Sequence, residues 1–211
     1  MRVIYSSTQD LNEDAFYDCL RLLPPGMRSY IERYRNPNDQ KQRLLARLLL
    51  RQCLIQTTGT DELLNAWRTD NKNKPYISNW YPFNISHAGN YVVLGYDEAA
   101  IGIDIEEHVP LDYTSMSDYF HLAEKHFIEN SANQQLDFYT IWTKKEAMLK
   151  ALGTGLVSGL QEFSCLSESI DFEGKTWFFS PLTIDPAYTC YVCSPTRGHA
   201  LAVEKFTLPA C

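Results

Sequence analysis

Twice along its length this chain passes from helix-like to strand-like hydrophobic spacing. Apolar residues three and four apart mark one face of a helix, whereas strict alternation marks a strand. Helical spacing dominates up to about residue 56, strand spacing from 83 to 106, helical spacing again from 117 to 152, and strand spacing beyond 170. The order predicts an α+β chain and hints at two similar halves, although no sequence repeat is strong enough to establish them.

The individual elements follow from local signals. A helix is predicted over residues 11–23, stopped by Pro24-Pro25-Gly26. A second runs over 38–56, capped by Asn38 or Asp39, with Leu44, Leu45, Leu48, Leu49 and Ile55 as its buried stripe. Residues 58–82 read as loop, with a turn at Asn71-Lys72-Asn73-Lys74-Pro75. Residues 83–86 alternate as a strand, and 91–106 read as a hairpin reversing at Asp97-Glu98-Ala99-Ala100. Residues 107–117 read as a linker. Helices over 117–130 and 134–152 follow, the second ending near Gly153, and then strands over 170–172, 176–179, 188–193 and 201–206.

Composition bounds the function. The 211 residues are 45% hydrophobic and 21% charged, an ordinary globular balance. No run of 18 apolar residues occurs, so no membrane helix is expected, and residues 1–14 do not read as a secretory signal. The six cysteines have no framework spacing and are expected to be reduced thiols of a cytoplasmic protein. Cys190 and Cys193 form a single Cys-x-x-Cys and would point to opposite faces of a strand, which argues against zinc. His121 and His126 do not have the metalloprotease spacing and read as ordinary helix residues. A net charge of −7 argues against nucleic-acid binding. Yet residues 21–51 hold eight bases and two acids. Arg43, Arg47 and Arg51, four apart, share one helix face, where they form either a solvated face or a local anion site.

Three short stretches carry chemistry. In Ile101-Gly102-Ile103-Asp104-Ile105-Glu106 the isoleucines face a core and the two carboxylates project together on the opposite face. Such a pair suits a hard divalent cation, and taken alone it equally suits a solvated strand face. In Trp142-Thr143-Lys144-Lys145-Glu146-Ala147-Met148-Leu149-Lys150, Glu146 and Lys150 share a helix face. They are either a plain ion pair or a third metal carboxylate with a phosphate-binding cation one turn on. Asn84-Ile85-Ser86-His87 sets a hydroxyl and an imidazole at a strand end.

Phe83-Asn84-Ile85-Ser86-His87, then Gly102 to Glu106, then Trp142 with Lys145-Glu146, Lys150 and Gly153-Thr154-Gly155-Leu156, resembles the 4′-phosphopantetheinyl transferase superfamily. The resemblance extends upstream to Lys74-Pro75 and the Arg43–Arg51 helix, so it covers roughly residues 25 to 160. In length the chain is similar to the larger, surfactin-synthetase-activating type. That likeness implies a monomer of two pseudo-equivalent α+β halves with the site at their interface: residues 1–103 on the nucleotide side, and 104–211 carrying the metal and the Lys-Glu helix.

The resemblance also implies roles. Asp104, Glu106 and Glu146 match the acidic Mg²⁺-binding positions, and Lys150 matches the lysine at the coenzyme A pyrophosphate. Lys74, Ser86 and His87 match positions that hold the nucleotide, with His87 at its 3′-phosphate, and Arg43 and Arg47 match the basic helix face. The family pattern has Gly before Lys-Pro, where this chain has Asn73, a residue that tolerates left-handed backbone. The implied reaction is Mg²⁺-dependent transfer of 4′-phosphopantetheine from coenzyme A to a serine of an apo acyl or peptidyl carrier protein. Asp104, Glu146 and Lys150 would be its catalytic groups, with Glu146 or a metal-bound water as the base. Two other readings use the same residues: a Mg²⁺-dependent phosphohydrolase, and a homologue that binds a carrier or coenzyme A without turnover.

Overall fold

The computed structural model describes residues 1–154, 160–197 and 201–208. Gly155 and Leu156 of the glycine-containing stretch, and Cys211, lie outside the described residues. Strand β1 (Arg2–Ser7) leads into helices α1 (Glu13–Arg21), α2 (Pro25–Glu32) and α3 (Pro37–Thr58). Pro24-Pro25-Gly26 does stop α1, but it also starts α2, because proline at the first helical position loses no needed N–H. The same device moves the start of α3. Its cap is Asn36 rather than Asn38 or Asp39, with Pro37 next and the Asn36 side chain accepting from the Asn38 N–H at 2.8 Å. Gly59 ends α3 at φ 78°, a left-handed conformation that glycine adopts without penalty. Leu44, Leu45, Leu48 and Leu49 are buried as expected, whereas Ile55 is only partly so, and Leu50, Cys53 and Leu54 complete the stripe.

Residues 58–82 are not merely loop. Strands β2 (Trp67–Thr69) and β3 (Pro75–Ile77) pair there in antiparallel fashion. Strands β4 (Phe83–Ala88), β5 (Tyr91–Tyr96) and β6 (Gly102–Glu107) follow. The hairpin expected over 91–106 does not form. β5 pairs with β4, across a turn with Gly89 at φ 49°, and with β1, while β6 joins another sheet. Alternation fixes which face of a strand is buried but not which neighbour it pairs with.

The second half holds α4 (Tyr113–Ser117), within the expected linker, then α5 (Leu122–Glu129) and α6 (Gln134–Leu152). Strands β7 (Ser169–Phe172), β8 (Lys175–Pro181), β9 (Tyr188–Ser194) and β10 (Ala202–Lys205) complete the chain. Two four-stranded sheets result, ordered β10-β1-β5-β4 and β6-β9-β8-β7. β10 runs parallel to β1, so the last strand belongs to the first sheet. Helix α3 lies on β1 and β5, and α6 lies on β6 and β9, giving each half one long helix on one sheet.

Strand alternation builds the core between the halves. Ile4, Val92 and Leu94 face α3, while Val3 and Val93 meet Ile101 and, from β6, Ile103 and Ile105. The opposite face of β6 is covered by α6 rather than solvated. A Cβ on Gly102 would lie 1.9 Å from the Ala147 carbonyl oxygen, so this glycine lets the helix backbone touch the strand. Cys190 and Cys193 do fall on opposite faces of β9, in separate apolar clusters. Among the described residues no helix is long and apolar enough to cross a membrane.

Candidate active site

β4 and β6 are the edge strands of their sheets, and they lie against each other. Unpaired edge N–H groups need partners. Here side chains supply them: Asn84 Oδ1 accepts from the Ile103 N–H at 2.9 Å and Ser86 Oγ from the Ile105 N–H at 3.4 Å. The two-residue period of β4 that places Asn84 and Ser86 on one face thus stitches the halves together. The seam also brings Ser86 to Asp104. The Ser86 hydroxyl donates to Asp104 Oδ1 at 2.9 Å, and Lys150 Nζ from α6 donates to the same oxygen at 2.5 Å and to Ser86 Oγ at 3.0 Å.

One cavity of about 270 Å³ is lined by Ser86, His87, Asp104, Glu106, Glu146 and Lys150, with Trp142 in its wall. Asp104 is 2% exposed and Glu146 8%. Burial pushes the Asp104 carboxyl up, against the Lys150 ammonium and the Ser86 hydroxyl, which favour its charged form. Burial also pushes Glu146 up, to about 7, with the Asp104 charge adding to the effect and Lys150 opposing it. Glu106 is raised by burial and by Asp104, although Trp142 Nε1 donates to its Oε1 at 2.8 Å and favours the charged form.

These groups fit a hard cation. Asp104 Oδ2 and Glu146 Oε1 are buried without a hydrogen-bond partner among the described residues. Such oxygens are costly to leave unmatched. Together with Glu106 they offer the all-oxygen set that Mg²⁺ prefers. Among the described residues no three His, Cys, Asp or Glu side chains form a preformed metal cluster, and the Lys150 ammonium stands beside Asp104 instead.

A second cavity of about 610 Å³ adjoins the first, sharing Ile85 and His87. Arg43 and Arg47 line it with Tyr30 and Trp67. The Arg43 guanidinium lies 3.8 Å from the Tyr34 ring centre, and Arg47 lies 5.1 Å from Tyr30 and 5.0 Å from Trp67. The rings face the guanidiniums; Arg47 Nη1 donates to the Arg43 carbonyl at 3.5 Å, and Nε of both arginines is buried without a hydrogen-bond partner among the described residues. His87 is pushed down by partial desolvation of its ring and by the charges of Arg43 and Lys150.

The structure therefore brings together Ser86, His87, Asp104, Glu106, Glu146 and Lys150, with Arg43 and Arg47 next door. Arg51 is turned away to Asp61, at 2.6 Å. Lys74 directs its Nζ to the carbonyl oxygens of Lys150 and Ala151. Lys145 is fully buried, paired with Glu124 at 2.8 Å and donating to the carbonyls of Leu160 and Phe163. Glu124 also completes a capping box with His121. The sequence reading missed Asn84 as the stitch to β6 and the Tyr30–Tyr34 pair. The four-residue spacing of those tyrosines is visible in the sequence, but Pro24-Pro25-Gly26 reads only as a stop to the first helix, and no element is assigned between it and residue 38.

Three carboxylates, a lysine and an arginine-lined cavity, set at the seam of two α+β halves, make a pocket whose charges suit a phosphorylated ligand. Comparison with known proteins gives the class. Residues 100–203 match the 4′-phosphopantetheinyl transferase superfamily, and residues 10–98 match the family of 4′-phosphopantetheinyl transferase N-terminal regions. The chain belongs to the 4′-phosphopantetheinyl transferase superfamily. It is 30% identical over 195 residues to the 4′-phosphopantetheinyl transferase psf-1 of Bacillus pumilus, covering 85% of this chain and 82% of that one. It is 27% identical over 186 residues to the Sfp transferase of Bacillus subtilis (strain 168), covering 83% of each. It is 29% identical over 205 residues to the L-aminoadipate-semialdehyde dehydrogenase-phosphopantetheinyl transferase of Xenopus laevis, covering 79% and 66%. The chain is an enzyme of this class, acting with coenzyme A and a carrier protein.

Proposed function

We propose that the cavity at the β4–β6 seam carries out Mg²⁺-dependent transfer of 4′-phosphopantetheine from coenzyme A to a serine of an apo carrier protein, in a cytoplasmic monomer. The observation that carries the reading is the pair of buried carboxylate oxygens on Asp104 and Glu146, without a hydrogen-bond partner among the described residues, in one cavity with the Lys150 ammonium. Asp104, Glu106 and Glu146 would hold the cation, which supplies Lewis-acid stabilisation of pyrophosphate charge when bound. Arg43, Arg47 and His87 receive the nucleotide phosphates in the larger cavity. Ser86 and Lys150 orient the pyrophosphate, and Lys150 neutralises the leaving adenosine 3′,5′-bisphosphate. Glu146 or a water in the cavity would accept the serine proton.

Intact-protein mass spectrometry of an apo carrier, incubated with the enzyme, coenzyme A and Mg²⁺ and with an EDTA control, tests this. A metal-dependent gain of one phosphopantetheine is expected, and Asp104→Ala is expected to abolish it. Cleavage of coenzyme A without carrier modification would support a phosphohydrolase instead. Binding without either product would support a non-catalytic homologue.

A further inference from the structure

The resemblance places Lys74 among the nucleotide contacts, and its side chain is engaged elsewhere. The last carbonyls of a helix have no intrahelical partners. At the end of α6 the Gly153 and Thr154 N–H groups both go to the Leu149 carbonyl. The next two carbonyls, those of Lys150 and Ala151, accept from Lys74 Nζ at 2.6 and 3.2 Å. An ammonium there also complements the negative end of the helix dipole.

The chain builds this contact deliberately. Asp70 Oδ1 accepts from the N–H groups of Lys72 and Lys74 at 2.9 and 2.8 Å, and the Asp70 N–H returns to the Lys74 carbonyl at 3.0 Å. Asn73 adopts φ 63°, so the β2–β3 turn holds the left-handed residue it requires and throws Lys74 across to α6. The Lys74 side chain runs over Gly153, where a Cβ would meet its Cδ at 3.5 Å. Lys74 is thus a bond from the first half to the very residue, Lys150, whose ammonium reaches Asp104 and Ser86.

We infer that Lys74 is a positioning residue, which clamps the last turn of α6 and so aims Lys150 into the reaction cavity, rather than a contact to the donor. The inference rests on the proposed role of Lys150. The test measures coenzyme A affinity, kcat and melting temperature for wild type, Lys74→Met, Lys150→Ala and the double variant, with wild-type carrier modification as the reference. A positioning role predicts that Lys74→Met leaves coenzyme A affinity within about threefold while kcat falls roughly tenfold or more, with no further fall on the Lys150→Ala background. Lys74→Arg, which keeps a cation, recovers part of kcat. If Lys74→Met does not fold, Lys74→Gln, which keeps an uncharged NH₂ donor, is read the same way.

Additive losses in the double variant, a weakened coenzyme A affinity with kcat intact, or a lowered melting temperature alone would each overturn the assignment. So would a fully active Lys150→Ala. A wild-type enzyme that modifies no carrier would instead sink the reading of the reaction itself.

Discussion

Glu146 carries a proton in the folded chain at a pH where an unfolded glutamate has lost it, because its carboxyl is pushed from the ordinary 4.5 up to about 7. Between those values the folded state binds more protons than the unfolded state, so raising the pH favours unfolding. The metal-free enzyme should therefore lose stability as pH rises from about 4.5 to about 7. Glu146→Gln should flatten that slope in urea titrations containing EDTA, and an unchanged slope would remove Glu146 as its source. The carboxylates at this scale were legible in the sequence: a two-residue period put Asp104 and Glu106 on one face, and a four-residue period joined Glu146 to Lys150. What their identity did not announce was the occupant of Asp104, since a lysine four residues along one helix reveals nothing about a strand it has yet to meet.

At the level of elements, β6 and α6 are pressed together with no side chain between them at Gly102. Alanine there would place its methyl 1.9 Å from the Ala147 carbonyl and 2.4 Å from the Ala151 nitrogen, both backbone atoms that cannot swing aside. Gly102→Ala is expected to destabilise the fold by about 1–3 kcal/mol or more. Because α6 carries Glu146 and Lys150, the variant should also lose carrier modification out of proportion to its folded fraction. Guanidinium denaturation with circular dichroism checks the first expectation, and a variant of wild-type stability would show that α6 can slide. Helices α1, α3, α5 and α6 were readable from apolar spacing and from the stops at Pro24-Pro25-Gly26 and Gly153, whereas the cap of α3 was not. The partner of β5 was not: both flanking segments alternate, and the deciding turn at Gly89 depends on a backbone conformation that a lone glycine does not declare.

Across the whole molecule, the expected division at residues 103 and 104 would separate an arginine side of the cleft from a carboxylate side, although it falls within β6. Nevertheless Val3 and Val93 share a core with Ile103, Ile105, Cys190 and Val192, and β10 completes the first sheet. The halves should therefore unfold together. Calorimetry is expected to show one transition, coincident with loss of near-ultraviolet circular dichroism, and two resolved transitions would mean that the seam is weaker than its packing implies. The likeness of the halves was visible in the order of helices and strands, whereas the crossing of β10 was not. A short terminal run with strand propensity pairs where an edge is open, and only the assembled sheets show which edge that is.

The position of β10 has a consequence for how the enzyme comes into being. Chains emerge from the ribosome N-terminus first, at about 5–20 residues per second, and early domains generally fold before later ones exist. Here the first sheet receives its fourth strand only after every strand of the second has been made. A nascent chain released before Ala202–Lys205 thus already carries every proposed catalytic side chain, while its first sheet still lacks the strand at the edge away from β4.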